Sequence, residues 1–309
     1  MDFRLLGETA VLADDGTSLD LGHRKQRVVL GALMLRADKT IDIEQLIDAI
    51  WPETANRRVA VRSLHAYVSK LRRILEPGTE RRGDYEIIAR RPKGYRLTVR
   101  QECLDIGRVH ILAREGRRLF AAGHSAQASA ELRKALAEWR GEPLEDFPDG
   151  PWIRDEAHYL AELHRGLIED AAEADLAQGL GPALVPELGR LLGAFPHRER
   201  LRALTAHALY QAGRQADALS LIAEGRRQMV EAFGLDPDAR IRLMEDRILR
   251  QDPSLTPRQV VRLHGNSRAR VRRQATTRLT PKVSATSPQT DTLPTRKGAL
   301  SYVTTCSIP

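Results

Sequence analysis

Along the first hundred residues the apolar positions change period twice. Phe3-Arg4-Leu5-Leu6 and Ala10-Val11-Leu12 read as short strands, a turn follows at Asp14-Asp15-Gly16, and Ser18-Leu19-Asp20-Leu21 alternates again. From Arg24 to Ala37 the spacing becomes helical, with Val28, Leu30, Leu33, Met34 and Leu35 in a broad apolar stripe. Asp42 followed by Gln45 has the layout of a capping box and opens a second helix, with Leu46, Ile47 and Ile50 on one face and Pro52 as its stop. A third helix is expected from Arg57 or Arg58 to Leu75, because Val61, Leu64, Val68, Leu71 and Leu75 fall at intervals of 3, 4, 3 and 4 before Pro77-Gly78. Tyr85–Ala89 and Tyr95–Val99 are strand-like, joined by Arg91-Pro92-Lys93-Gly94, where Pro second and Gly fourth suit a type I turn.

Strands, three helices and a hairpin, in that order, spell a winged helix-turn-helix with an N-terminal sheet. From about residue 104 the strand signals vanish. Phe120-Ala121-Ala122-Gly123, Leu176-Ala177-Gln178-Gly179 and Tyr210-Gln211-Ala212-Gly213 each end one helix and lead into an Ala/Leu-rich second one, such as Ala126 to Trp139 or Ala216 to Met229. The last two glycines are 34 residues apart, the tetratricopeptide period, and the first two 56 apart. Pro143, Pro148 and Pro151 mark a loop, with Trp152 restarting the helices. The expected fold is mainly α with a small β component: a winged-helix domain over 1–100, an all-α tetratricopeptide-like domain of helical hairpins over 104–253 in two and a half to three repeats, and a tail over 254–309. The tail holds 20 Ser, Thr or Pro among residues 256–309 and reads as disordered.

Composition changes this picture in one respect. Apolar content of 42% and charged content of 29% are ordinary for a soluble chain, but the net charge of +8 is unevenly distributed. Residues 1–100 carry 19 Lys/Arg against 14 Asp/Glu, 101–255 carry 20 against 26, and 256–309 carry 10 against 1. A basic front and tail around an acidic middle imply different partners for different segments, with a polyanion for the front. There is no apolar stretch of membrane-spanning length and no signal-peptide layout, so a cytoplasmic, nucleoid-associated protein with no membrane partner is expected. Two cysteines, Cys103 and Cys306, make neither a disulfide framework nor a metal cluster.

The candidate chemistry lies on the third helix. With its apolar stripe turned inward, the opposite face presents Arg58, Arg62, Ser63, Ala66, Tyr67, Ser69, Lys70 and Arg73. Small residues let a helix approach a major groove closely, cations meet phosphates or guanine edges, and hydroxyls meet phosphate oxygens. The hairpin tip adds Arg90, Arg91 and Lys93, three cations that repel one another unless an anion is near. His23, Arg24, Lys25 and Arg27 open the first helix, where cations oppose the macrodipole; a phosphate contact or a protein partner such as polymerase would account for them.

Several segments carry a family resemblance. Leu19 to Arg27, Gln45 to Trp51, Tyr67 to Leu75 and Gly94-Tyr95-Arg96-Leu97 resemble the OmpR-type winged helix of the SARP family, the Streptomyces antibiotic regulatory proteins. Ala135 to Gly141, Leu209 to Arg214 and Phe233 to Pro237 extend it into what resembles the bacterial transcriptional activation domain, covering residues 1 to about 253. The resemblance implies a pathway-specific activator of antibiotic biosynthesis. It would bind tandem direct repeats in double-stranded promoter DNA near the −35 element, two protomers together, and recruit RNA polymerase holoenzyme. By position, Arg62 and Tyr67 would contact phosphates, Lys70 would face bases and Arg91 would serve the wing.

Other classes find less support. No phosphate-binding Gly-x-x-x-x-Gly-Lys-[Ser/Thr] loop occurs, nor His-Glu-x-x-His, nor Cys-x-x-Cys, and His158 and His164 suit no zinc spacing. Neither a cofactor, a metal nor an enzymatic activity is expected, nor a receiver domain ahead of the winged helix. The alternative of a different class is a helical-repeat adaptor whose main partner is a protein, suggested by the acidic middle.

Overall fold

The computed structural model describes residues 1–79 and 85–256; the tail expectation for 254–309 lies almost wholly outside the described residues. Strands β1 (Asp2–Arg4) and β2 (Ala10–Leu12) form an antiparallel pair. Helices α1 (Arg24–Leu35), α2 (Ile43–Ile50) and α3 (Arg57–Leu75) follow, with β3 (Ile41–Asp42) just ahead of α2. Strands β4 (Ile88–Arg90) and β5 (Gly94–Leu97) complete a second antiparallel sheet, in the order β3-β5-β4. This is a winged helix.

Two local expectations need correction, and one strand has no counterpart in the sequence reading. The first strand stops at Arg4, because the amides of Leu5 and Leu6 donate to the Asp105 carboxylate at 2.6 and 2.8 Å instead of to a neighbouring strand. Ser18–Leu21 contributes only a single bridge, Ser18 to Leu12. The strand at Ile41 was not legible: two residues are too few for periodicity, and β3 exists because β5 pairs with it, Ile41 opposite Tyr95 and Asp42 opposite Gly94. A Cβ on Gly94 would sit 1.8 Å from the Ile41 carbonyl oxygen, so the sheet closes only on glycine there.

Local signals explain the helices. Gln45 Oε1 accepts from the Asp42 amide at 3.3 Å, the reciprocal half of the α2 capping box, and Asn56 Oδ1 accepts from the Val59 amide to start α3. Ala60, Leu64, Val68, Leu71 and Leu75 form the buried seam of α3, with Ala60 in the place expected for Val61, which is half-buried.

The remaining helices are α4 (Asp105–Ala121), α5 (Ser125–Leu136), α6 (Pro151–Leu176), α7 (Gly181–Ala194), α8 (Glu199–Gln211), α9 (Gln215–Phe233) and α10 (Ala239–Leu249). Gly123, Gly179 and Gly213 follow α4, α6 and α8 with φ of +82°, +82° and +75°, the left-handed turn that lets each hairpin fold back. Helix α4 packs on α5, α5 on α6, α7 on α8 and α8 on α9, with α10 against α8 and α9, while α6 and α7 meet only near their connecting turn. The long first glycine spacing comes from the loop between α5 and α6 and from α6, a helix of 26 residues.

That loop joins the two modules. Leu144 and Phe147 are buried in it, the Arg140 amide donates to the Leu6 carbonyl at 2.8 Å, and the Phe147 ring lies against Gly31 of α1. Asp105, fully buried at the start of α4, also accepts from Arg140 at 3.0 Å. Arg108 spans Asp2 and Glu138, and Arg36 pairs with Glu156. One hydrophobic core therefore runs from Phe3 through the winged helix to Ala174, and two smaller clusters serve α6–α10. Helix α3 owes its orientation to this continuous core.

Candidate nucleic-acid interface

At about 100° per residue, the turn of an α-helix places Arg62, Ala66, Ser69 and Arg73 within about 40° of the direction opposite the buried seam. All four are exposed, as are Arg58, His65 and Lys70. Val59 adds an apolar side chain, 51% exposed, on the same outer face. Ser63 and Tyr67 are half-buried on one flank. The Tyr67 ring stacks on Trp51 at the end of α2, with centroids 6.1 Å apart and planes 20° apart, and Lys25 Nζ lies 5.6 Å from the Trp51 ring centre. The hydroxyl end of Tyr67 is thereby held at the rim of the cationic face.

The other flank faces the hairpin. Arg72 is not part of the outer surface: its Nε donates to the Ile88 carbonyl at 2.8 Å, and its guanidinium lies 5.0 Å from the Tyr85 ring centre and 5.6 Å from that of Tyr95. Burial pushes its guanidinium below the usual range, opposed by the neighbouring tyrosines and Glu76. Arg90 covers Tyr95 from β4 at 4.8 Å, and His65 meets the same ring edge-on at 6.2 Å. Burial, then the charge of Arg90, lowers the His65 imidazole from its ordinary value. Tyr95 is thus the pivot between α3 and wing.

The Arg91–Gly94 turn is closed by reciprocal backbone hydrogen bonds of 3.0 and 3.2 Å, with Lys93 exposed and Arg91 half-buried. Among the described residues Arg57 pairs with Asp48 at 2.6 Å, whereas Arg58, Arg62, Lys70, Arg73, Arg90, Arg91 and Lys93 form no ion pair with any described carboxylate. Seven cations on a helix face and a hairpin, uncompensated by these neighbours, create a field suited to a polyanion.

The cations opening α1 are elsewhere. Arg24 Nε donates to the Asp146 carbonyl at 2.7 Å and its Nη2 to that of Phe147 at 3.3 Å, while Arg27 grips the Asp146 carboxylate. Arg24 and Arg27, candidates for a phosphate or polymerase contact, fasten α1 to the loop of the helical module. Their partners lie about 120 residues away, beyond the reach of any local pattern. Only Lys25 of that trio faces the Trp51–Tyr67 stack beside α3. Sequence reasoning also passed over His65 and Val59; an apolar residue off the 3-4 seam was the available signal for Val59.

Comparison with known proteins agrees with this geometry. Residues 16–97 match the family described as transcriptional regulatory protein, C terminal, and residues 104–249 match the bacterial transcriptional activator domain. The chain is 36% identical over 242 residues to the regulatory protein AfsR of Streptomyces coelicolor, covering 78% of this chain and 23% of AfsR. It is 33% identical over 258 residues to the regulatory protein DnrI of Streptomyces peucetius, covering 82% of this chain and 94% of DnrI. A solved structure of Mycobacterium tuberculosis EmbR, in complex with a low-affinity phosphopeptide, superposes with a TM-score of 0.74 at 35% identity, covering 82% of this chain and 65% of that one. The chain thus spans about a quarter of AfsR and about two thirds of EmbR, but nearly all of DnrI. No helix among the described residues is long and apolar enough to cross a membrane. With an OmpR-type winged helix followed by a bacterial transcriptional activator domain, and with relatives of both kinds at this level of identity, the chain belongs to the SARP family of transcriptional regulators.

Proposed function

We propose that the protein is a sequence-specific DNA-binding activator of a secondary-metabolite pathway, with α3 as its recognition helix. Arg62, Ala66, Ser69 and Arg73 enter the major groove, with Ser63, Tyr67 and Lys70 along one edge. Arg91 and Lys93 carry the hairpin onto the adjacent backbone. The observation that carries the reading is the cationic outer face of α3, exposed while its opposite face is locked into the core. One recognition helix buries little surface, so two protomers on tandem direct repeats near a −35 element supply the remainder, and the helical module meets RNA polymerase holoenzyme.

A gel-shift titration with promoter fragments tests this. Specific binding is expected, with log K falling against log salt at a slope near −5 if about six phosphates are neutralised. Wild-type specific binding by both Lys70→Ala and Arg91→Ala would remove the proposal. A protein-adaptor reading draws on the exposed Phe233, Leu243 and Leu249 of the last helices and Leu235 between them. DNA-independent capture of a non-polymerase partner, with no DNA affinity, would favour it.

A further inference from the structure

A cavity of about 480 Å³ lies where the end of α1 meets α4 and α6, away from the α3 face. That volume is in the range of small-molecule sites, roughly 300–1,000 Å³, and a boundary between modules is where such sites occur. Its apolar lining is Leu35 from α1 and Ile106 from α4, backed by the buried Met34 and Leu104. Its far wall is one turn of α6, with Asp155, Glu156 and Tyr159.

The wall is acidic and aromatic at once. Glu156 is only 8% exposed and pairs with Arg36 across the cavity. Asp155 beside it is exposed and forms no ion pair with a described residue. Tyr159 leaves 46% of its surface open, and its hydroxyl is 3.2 Å from His110 Nε2, the rings tilted at 32°. Burial lifts the Glu156 carboxyl, and of its charged neighbours Arg36 opposes that shift while Asp155 adds to it. The Tyr159 hydroxyl is raised by burial and then by the Glu156 charge. Partial burial and then the charge of Arg117 hold His110 below its ordinary value. Asp38 and Lys39 also line the cavity. Three carboxylates against Arg36 and Lys39 leave a net demand for one cation, next to a tyrosine face and an apolar lining.

We propose that this cavity binds a small organic amine, its ammonium set among Glu156, Asp155 and the face of Tyr159, its apolar body on Leu35 and Ile106. A carboxylate-bearing ligand would meet like charge on α6. A purely apolar one would leave Asp155 without a partner, since Arg36 already pairs with Glu156. A bound amine would touch both the winged helix and the helical module. The site stands on its own residues, whether or not α3 meets DNA.

Calorimetric titration of the full chain with phenethylamine, 2-phenylethanol and 3-phenylpropanoate tests this. The amine is expected to bind at least about tenfold more tightly than either counterpart, since only it makes a charge-assisted contact. That preference should fall to near parity in Asp155→Asn and be lost in Tyr159→Leu. Both positions are exposed, so both variants should melt with the wild type, and they keep the test readable if Glu156→Gln, which loses the Arg36 partner, does not fold. Absence of heat with the amine at millimolar concentration, equal binding of amine and alcohol, or full amine binding in both exposed variants would overturn the proposal.

Discussion

Arg27 holds Asp146 with two arms of its guanidinium, Nε 3.0 Å from one carboxylate oxygen and Nη2 2.7 Å from the other. The pair joins the first turn of the winged helix's α1 to the loop between two helices of the activator domain. Burial pushes the Asp146 carboxyl up, but the Arg27 hydrogen bonds and charge outweigh it and leave the group below its usual range. The two modules are coupled by chemistry that neither would need alone.

Arg27→Ala should therefore lower the unfolding free energy of the whole unit by about 1.5–3 kcal/mol, the scale of a charge-assisted bond whose partner is left buried. Urea denaturation followed by tryptophan fluorescence reads this, Trp152 lying beside Phe147 of the same loop. A loss below about 0.5 kcal/mol would show the pair to be incidental. DNA affinity at temperatures where the variant is folded should be unchanged, because Arg27 does not face the α3 surface.

Arg72 and Arg73 are neighbours in sequence with opposite expected effects. Arg72→Ala removes the bond to the Ile88 carbonyl and the packing on Tyr85 and Tyr95, and should cost about 1–3 kcal/mol of stability. Arg73→Ala should leave the melting temperature unaltered, weaken DNA binding for all sequences alike and reduce the salt slope by about 1. Parallel thermal melts and salt-dependent gel shifts separate the two; identical behaviour would contradict the assignment of faces.

Gly94→Ala should abolish the second sheet. The added Cβ meets backbone at 1.8 Å, and backbone in a paired strand cannot step aside as a flexible side chain could. A loss of more than about 3 kcal/mol is expected, with β3 and the hairpin unprotected in hydrogen exchange. Retention of wild-type protection at Ile41 and Tyr95 would show that the strands can separate without cost.

A pH effect is expected in the helical module. Glu162 accepts from Arg198 at 2.8 Å and from Arg165 at 2.5 Å, and these partners draw its carboxyl down from the ordinary 4.5 to about 2. Because the folded value lies below the unfolded one, the contribution is complete above about pH 4.5 and disappears as pH falls through about 2. Glu162 is 42% exposed, so the contribution is within about 1 kcal/mol. Melts of wild type and Glu162→Gln should differ slightly at pH 6 and converge near pH 2; a gap that widens on acidification would reverse the sign.

The amino-acid sequence alone determined the helices and the wing hairpin and their order, but not β3. The 3-4 spacing from Leu64 to Leu75, the Asp42–Gln45 cap and the Phe120–Gly123, Leu176–Gly179 and Tyr210–Gly213 segments are local patterns, and their cause is local: helix periodicity, end-capping and the left-handed tolerance of glycine. The outer face of α3 was legible for the same reason, since a helix with one apolar seam has its opposite face specified. What only the tertiary structure decided are the contacts between distant residues. The sequence held no sign that Asp105 would take the amides of Leu5 and Leu6, that Arg24 and Arg27 would reach the loop at residue 146, or that Arg72 would find its partner in the Ile88 carbonyl. A cation's charge is written in the sequence, but its partner is set by which surfaces the packed core brings within about 3 Å, and that depends on the whole chain at once.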